Sequence, residues 1–211
     1  MSIAHLRREY ARARLDERDV APDPLVQFQQ WFDDARRAEL PEPNAMTLAT
    51  ATPDGVPSAR VVLLKAADPR GFTFFTDYRS QKGRELEANP RAALVFYWGE
   101  LERQVRITGT VSRLPREESE AYFRTRPRES RLGAWSSHQS ASLPDRDTLE
   151  ARFREASARY PGDEVPTPPY WGGYILRPDT LEFWQGREGR LHDRVRYRRE
   201  AGGWRIERLS P

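Results

Sequence analysis

Residues 46–76 read MTLATATPDGVPSARVVLLKAADPRGFTFFT. Three apolar runs, Met46–Ala51, Ala59–Ala66 and Phe72–Thr76, are separated by Pro53-Asp54-Gly55 and Asp68-Pro69-Arg70-Gly71. Short runs rich in β-branched and aromatic residues, bounded by Gly, Pro and Asp, read as strands joined by tight turns. Tight turns connect antiparallel neighbours, because parallel strands need a crossover of a dozen or more residues. The stretch therefore predicts an antiparallel sheet.

The same pattern continues outward. Ala92–Trp98 and Glu102–Arg113 read as strands, and Trp171–Arg177, Thr180–Gln185, Leu191–Arg198 and Trp204–Arg208 as a closing set, with Gly202-Gly203 as a turn. Helical readings fall between these groups. Asp23-Pro24 opens one, and Leu25, Phe28, Trp31, Phe32 and Ala35 follow at helical spacing toward Leu40. Others are expected at Ser80–Asn89, Pro115–Arg126 and Asp145–Tyr160, followed by a proline-rich loop over 161–169. The fold class is α+β, mainly antiparallel β, as a sheet or barrel with peripheral helices. A dinucleotide-binding parallel sheet is argued against by the missing strand–helix alternation and the missing G-x-G-x-x-G.

The 211 residues are expected to form a basic, mobile N-terminal segment over 1–22 and a single domain over 23–211. The first part, Ala4–Leu15, reads as a helix without a wide apolar face. Met1–Arg14 has no apolar core of the signal-peptide kind, and no run is long enough to span a membrane. The chain has no cysteine, which removes disulfides, zinc–thiolate sites and thiol nucleophiles and fits a cytoplasmic protein. Charge is +3 and the bases are interleaved with 32 acids, a pattern that suits small anionic ligands better than nucleic acid.

Of 35 basic side chains 33 are Arg, and the two lysines are Lys65 and Lys82. Lys is a compact point charge on a slim stem, whereas Arg is a wide planar fork. Both lysines fall in segments with ligand-binding chemistry. Arg60-Val61-Val62-Leu63-Leu64-Lys65 puts a cation at each end of an apolar run; on one strand the two would face opposite sides. It reads equally as a ligand clamp or as an edge strand with solvated ends. Ser80-Gln81-Lys82 at a helix start suits a phosphate, or is an ordinary capped surface helix. Tyr122, Arg126 and Ser130 recur every four residues and would share a face of a continuous helix, a set that suits phosphate, although Pro127 interrupts it. Gln104 in a strand, and Gln139 and Ser140 in a polar loop, have ordinary structural readings. So do Arg190 and His192, two apart on a predicted strand, beside Trp184 and Arg194. Hydrolytic readings fare poorly: there is no G-x-S-x-G elbow, and His5, His138 and His192 lack metal-ligand spacing.

Taken together, HLRREY (5–10), RVVLLK (60–65), LERQV (101–105), YFRTRPRESRLGAW (122–135), WGGY (171–174), EFWQG (182–186) and RLHDR (190–194) resemble the pyridoxine/pyridoxamine 5′-phosphate oxidase family over nearly the whole chain. The resemblance implies a split β-barrel homodimer with FMN at the subunit interface. It implies FMN contacts from Arg60, Lys65, Phe75, Thr76, Lys82, Gln104, Gln139, Ser140, Trp184 and Arg194, with backbone and packing contacts from Val61, Val62, Leu63 and Leu64. Lys65, Tyr122, Arg126 and Ser130 would hold the substrate phosphate. Arg190 and His192 would stand at the substrate ring and reacting side. Arg7 and Tyr10 match an N-terminal segment that closes over the site. Gln81 departs from the family, which often has Arg there, so its share in FMN-phosphate binding is in question. The implied reaction oxidises a 4′ amine or alcohol to the aldehyde of pyridoxal 5′-phosphate, with hydride passing to FMN and molecular oxygen giving hydrogen peroxide. Rival readings are another split-barrel flavin oxidoreductase, or a non-catalytic carrier of FMN or pyridoxal phosphate.

Overall fold

The computed structural model describes residues 9–211. Helix α1, Pro24–Arg37, starts where the Asp23 carboxylate accepts a hydrogen bond from the Leu25 N–H and proline takes the first turn. Phe28, Trp31 and Ala35 recur along its buried face. Phe28 packs edge-on against Phe72 at 5.0 Å and lies 5.1 Å from Phe96, while Trp31 meets Phe183 at 5.2 Å. The helix thus covers the concave face of a curled sheet.

The strands are β1 Ala45–Ala51, β2 Pro57–Leu63, β3 Ala66–Asp68, β4 Gly71–Asp77, β5 Arg91–Trp98, β6 Arg103–Arg113, β7 Trp171–Gln185, β8 Asp193–Glu200 and β9 Gly203–Arg208. Every ladder is antiparallel, in the order β2-β1-β5-β6-β7-β4-β3, with β8 and β9 added beside β7. The expected α+β class with a mainly antiparallel sheet is what the chain adopts. Along β1 the side chains of Met46, Leu48 and Thr50 are buried and their neighbours are not, the period-two signature of a half-covered strand. The main core joins Leu48, Phe74, Leu94, Ile107, Leu176 and Leu181 to the α1 aromatics.

Two departures from the sequence reading shape the site. The run Ala59–Ala66 is not one strand. The chain leaves β1 after Leu63, the Leu64 N–H still reaches Asn44, and the Lys65 N–H donates to Thr73 on β4. This corner carries the chain from one sheet edge to the other. Conversely, Trp171–Gln185 is one strand and not two. Its first half pairs with β4 and its second with β8, while β6 runs along its other edge throughout. Pro178 falls at the β6–β7 register shift beside Gly109, where a Cβ would lie 2.1 Å from the Arg177 carbonyl oxygen. A proline tolerated at a bulge explains why the strand survives it.

The remaining helices are α2 Gln81–Ala88, α3 Arg116–Arg124, α4 Arg128–Ser136 and α5 Arg146–Arg159. The last two enclose a small separate core of Leu132, Ala156 and Val165. Among the described residues no helix is long and apolar enough to cross a membrane. The expected helix Ala4–Leu15 is not seen in its described part, which runs irregularly from residue 9 to 15. The Glu102 carboxylate accepts from the Ala11 and Arg12 N–H groups at 3.1 and 3.0 Å, the Leu15 N–H donates to Asp193, and Leu15 enters the main core. Backbone N–H groups drawn to side-chain carboxylates are not available for helical bonds.

Candidate active site

A cleft of about 700 Å³ opens between the ends of β2 and β4, the start of α2, and the α3–α4 turn. Its size is within the roughly 300–1,000 Å³ of small-ligand sites. It runs along β2, which ends the sheet, so one side of the Val61–Leu63 backbone lies outside the ladder. The break at Leu64 matters here. It turns Lys65 off the β2 pleat, and Arg60 and Lys65 both line the cleft instead of facing opposite sides.

At one end are Arg60, Thr76, Lys82 and Gln139. The Lys82 ammonium is only 8% exposed and donates to Gln139 Oε1 at 2.8 Å and to Thr76 Oγ1 at 3.3 Å. Burial, then the neighbouring Arg60 charge, pulls its pKa down to about 8. Arg60 donates to Thr50 Oγ1 at 2.5 Å and to Ser58 Oγ at 2.7 Å. Both hydroxyls also meet Glu85 of α2, which is buried. Burial alone would raise the Glu85 pKa. Hydrogen bonds from Ser58, Thr50 and Gln81, with the Arg60 charge, outweigh it and hold the carboxyl at about 2.

At the other end are Lys65, Tyr122, Arg126 and Ser130. The continuous helix expected for the last three is broken: α3 ends at Arg124 and Pro127 opens α4. Tyr122 comes from α3, Arg126 from the turn and Ser130 from α4, yet all reach one cleft. Phe75 stacks on Tyr122 at 4.0 Å and on Trp171 at 5.4 Å, forming an aromatic wall. The Arg126 guanidinium lies 4.8 Å from the Trp171 ring centroid, and burial lowers its pKa. Its Nη1 is buried without a hydrogen-bond partner among the described residues. An unpaired buried donor of a charged group is costly, and an anion in the cleft would satisfy it.

A third group lies elsewhere on the chain. Gln104, Trp184 and Arg194 are register partners across β6, β7 and β8. Arg194 Nε donates to Glu182 at 2.8 Å. The His192 ring lies 4.7 Å from Trp184, and Tyr10 meets both rings edge-on at 5.7 and 5.8 Å. The expected strand start at Leu191 is corrected: β8 begins at Asp193. Gly189 and Arg190 hold left-handed φ values of 61° and 62°, which keep the chain out of the ladder. Arg190 is exposed, and the His192 Nδ1 accepts from the Arg187 N–H at 3.1 Å. The two are therefore not side by side on a strand.

Residues 32–160 match the family model for pyridoxamine 5′-phosphate oxidase, and residues 171–211 match the pyridoxine 5′-phosphate oxidase C-terminal dimerisation region. The chain belongs to the pyridoxamine 5′-phosphate oxidase family. A pyridoxine/pyridoxamine 5′-phosphate oxidase of Rubrobacter xylanophilus is 62% identical over 99% of this chain and 96% of that protein. One of Cupriavidus taiwanensis is 60% identical over 99% of each. The solved structure of PhzG from Burkholderia lata, in complex with tetrahydrophenazine-1-carboxylic acid, is 35% identical. It superposes with a TM-score of 0.90 over 95% of this chain and 99% of that one. A pyridoxamine 5′-phosphate oxidase-related, FMN-binding protein of Nostoc punctiforme shares the fold at 19% identity and a TM-score of 0.72, over 91% of this chain and all of that one.

Within this oxidase-family chain the cleft gathers Arg60, Val61, Val62, Leu63, Lys65, Phe75, Thr76, Lys82, Tyr122, Arg126, Ser130 and Gln139. It does not gather the others. Leu64 points into the core. Gln81 donates to Glu85 at 2.8 Å. Ser140 is exposed with φ 71°. Tyr10, Gln104, Trp184, Arg190, His192 and Arg194 lie outside the cleft lining, and Arg7 lies outside the described residues. Sequence reasoning gave no role to Trp171, which backs both Phe75 and Arg126. A signal was present in Gly172 and Gly173, where a Cβ would lie 2.0 Å from the Tyr78 hydroxyl and 2.6 Å from Leu114. Two adjacent glycines this close to the Tyr78 and Leu114 side chains mark a tightly packed wall.

Proposed function

We propose that this chain is an FMN-dependent oxidase that converts pyridoxamine 5′-phosphate or pyridoxine 5′-phosphate to pyridoxal 5′-phosphate. The observation that carries this is two separate cation clusters in one aromatic-walled cleft, one per phosphate of a flavin and a phosphorylated substrate. Arg60, Lys82, Thr76 and Gln139 have the donors that the FMN phosphate needs. Lys65, Tyr122, Arg126 and Ser130 fit the substrate phosphate, and the unpaired Arg126 Nη1 is the donor left over for it.

When bound, FMN supplies the redox chemistry by taking up hydride from the substrate's 4′ carbon, with oxygen as final acceptor and hydrogen peroxide as product. The protein's part is positioning. Fixing both phosphates at opposite ends of one cleft turns a bimolecular encounter into an oriented one. The chain forms a homodimer. Arg190, His192, Trp184, Gln104 and Arg194 lie outside the cleft of their own chain, so in this reading they complete the cleft of the partner subunit. There the Arg190 plane would lie over the substrate ring and His192 would hydrogen-bond its polar edge. Tyr10, already against Trp184 and His192, would cover the shared site.

The test is direct. Purified protein should be yellow and release FMN, not FAD, and in air it should form aldehyde and peroxide in equal amounts from either substrate. A colourless protein that FMN cannot reconstitute would overturn the reading.

A further inference from the structure

Arg60 is held by a relay that no cleft-lining residue explains. Thr50 on β1 and Ser58 on β2 are register partners, with their hydroxyl oxygens 3.3 Å apart. Each accepts from the Arg60 guanidinium, at 2.5 and 2.7 Å, and each reaches Glu85 Oε2, with Ser58 at 2.6 Å. Arg60 Nη2 also lies 3.5 Å from Glu85 Oε2, at the outer limit of a direct bond, and Nη1 donates to the Leu48 carbonyl at 3.3 Å, so the short contacts between Arg60 and Glu85 run through the hydroxyls. Glu85 is 6% exposed, and Gln81 Nε2 donates to its other oxygen at 2.8 Å. A guanidinium can only donate and a carboxylate can only accept. Both hydroxyl protons must therefore point to Glu85, and both oxygens must offer lone pairs to Arg60. The direction of every hydrogen bond in the cluster is set by Glu85.

We propose that Glu85 is a positioning residue for the cofactor phosphate, acting through Thr50 and Ser58 to fix the Arg60 guanidinium at the cleft. The proposal rests on the FMN reading above. It also gives Gln81 a role one step removed: its amide completes the carboxylate and does not reach the phosphate. A small residue at position 85 frees both hydroxyls to rotate and to point protons at Arg60. The guanidinium then loses two anchors while the rest of the cleft stands.

The test compares two ligands that differ only by the phosphate. Full-length protein stripped of flavin is titrated with FMN and with riboflavin, following the quenching of flavin fluorescence. Glu85→Ala should lower the preference for FMN over riboflavin by about tenfold, the scale of one charge-assisted hydrogen bond, and should leave riboflavin affinity unchanged. Glu85→Gln should keep the preference, because its amide oxygen still accepts from both hydroxyls. The Thr50→Val/Ser58→Ala double variant should lose it as Glu85→Ala does, and serves if Glu85→Ala does not fold. In an Arg60→Met background, Glu85→Ala should change the ratio no further. An unchanged or increased preference in Glu85→Ala or in the double variant overturns the proposal, as does an equal loss for both flavins. A parent protein with no preference for FMN over riboflavin sinks the assignment of Arg60 and Lys82 to a phosphate, and this proposal with it.

Discussion

Trp171 supports Arg126 from behind: the guanidinium carbon lies 4.8 Å from the indole centroid, and Nη1 is buried with no partner among the described residues. The ring takes one face of the guanidinium and leaves its N–H edge for an anion. Arg126→Met removes that edge and keeps much of the stem. A charge-assisted hydrogen bond is worth about 1.5–3 kcal/mol, or roughly 10–150-fold. The Michaelis constant for phosphorylated substrate should rise by a factor in that range while bound FMN, read from its visible absorbance, stays at the parent level. An unchanged Michaelis constant would show that the orphan donor serves no ligand.

Lys82 gives the site a pH dependence with opposite signs for stability and for binding. Its pKa is about 8 in the folded chain against an ordinary 10.5. Below about pH 8 the ammonium is charged in both states, and folding carries the full cost of burying it. Between those two values the unfolded chain holds a proton that the folded chain has released, so the flavin-free protein gains stability from this group as pH rises. FMN affinity should move the other way and fall as pH passes upward through about 8, because the cation that meets the phosphate is being neutralised. Titrations from pH 7 to 9.5 check this. Lys82→Met should bind FMN more weakly at every pH and lose the fall; a parent protein whose affinity is flat over that range contradicts it.

The fold was legible wherever one face of an element is covered and the other is not. Met46, Leu48 and Thr50 alternate along β1, and Phe28, Trp31 and Ala35 recur along α1, so both elements were correctly anticipated. Boundaries set by tertiary pairing were not legible. Nothing in Arg60–Lys65 says that the chain abandons β1 at Leu64, because the Lys65 N–H finds its acceptor on β4. Pro178 looks like a strand end until Gly109 is seen to make room for a bulge opposite it. Of the site, the charged residues were legible as chemistry, and the resemblance supplied their grouping. Glu85, Thr50 and Ser58 were not, since one acid on a charged helix and two hydroxyls on small-residue strands give no sign that they converge on Arg60.

Gly186 makes room for the N-terminal segment. A Cβ there would lie 2.7 Å from Tyr10 Cγ, within the ring that packs on Trp184 and His192. Gly186→Ala should push Tyr10 off that surface, weaken the Glu102 hold on the adjoining Ala11 and Arg12 N–H groups, and loosen the chain up to the point where the Leu15 N–H is held by Asp193. Segments with few buried contacts open at low free energy and become accessible to proteases. Trypsin should then cut after Arg12 or Arg14 faster than in the parent, on the order of tenfold, while FMN content is retained. Equal cleavage rates would mean that Tyr10 adapts without leaving its place.

The separation of Arg126 from Arg190 within one chain allows the shared site to be tested without a structure of the dimer. Arg126 lines the cleft; Arg190 is exposed in the turn before β8, outside the cleft lining. If each cleft is completed by the partner subunit, Arg126→Met and Arg190→Met damage the same composite site from different chains. Each variant homodimer then carries two damaged sites. In a two-fold dimer that combines one chain of each variant, both defects fall in one site and the other site is entirely parental. Two different affinity tags on co-expressed chains would isolate that heterodimer. It should recover about half of the parent turnover per dimer, while both homodimers stay low. If Arg126 and Arg190 instead serve the same chain's site, every site in the heterodimer contains one defect and no activity returns. His192→Asn in place of Arg190→Met should give the same pattern with a milder homodimer defect, because an amide can still hydrogen-bond. Restoration by Arg190→Met but not by His192→Asn would separate the two residues and place only Arg190 at the partner's cleft.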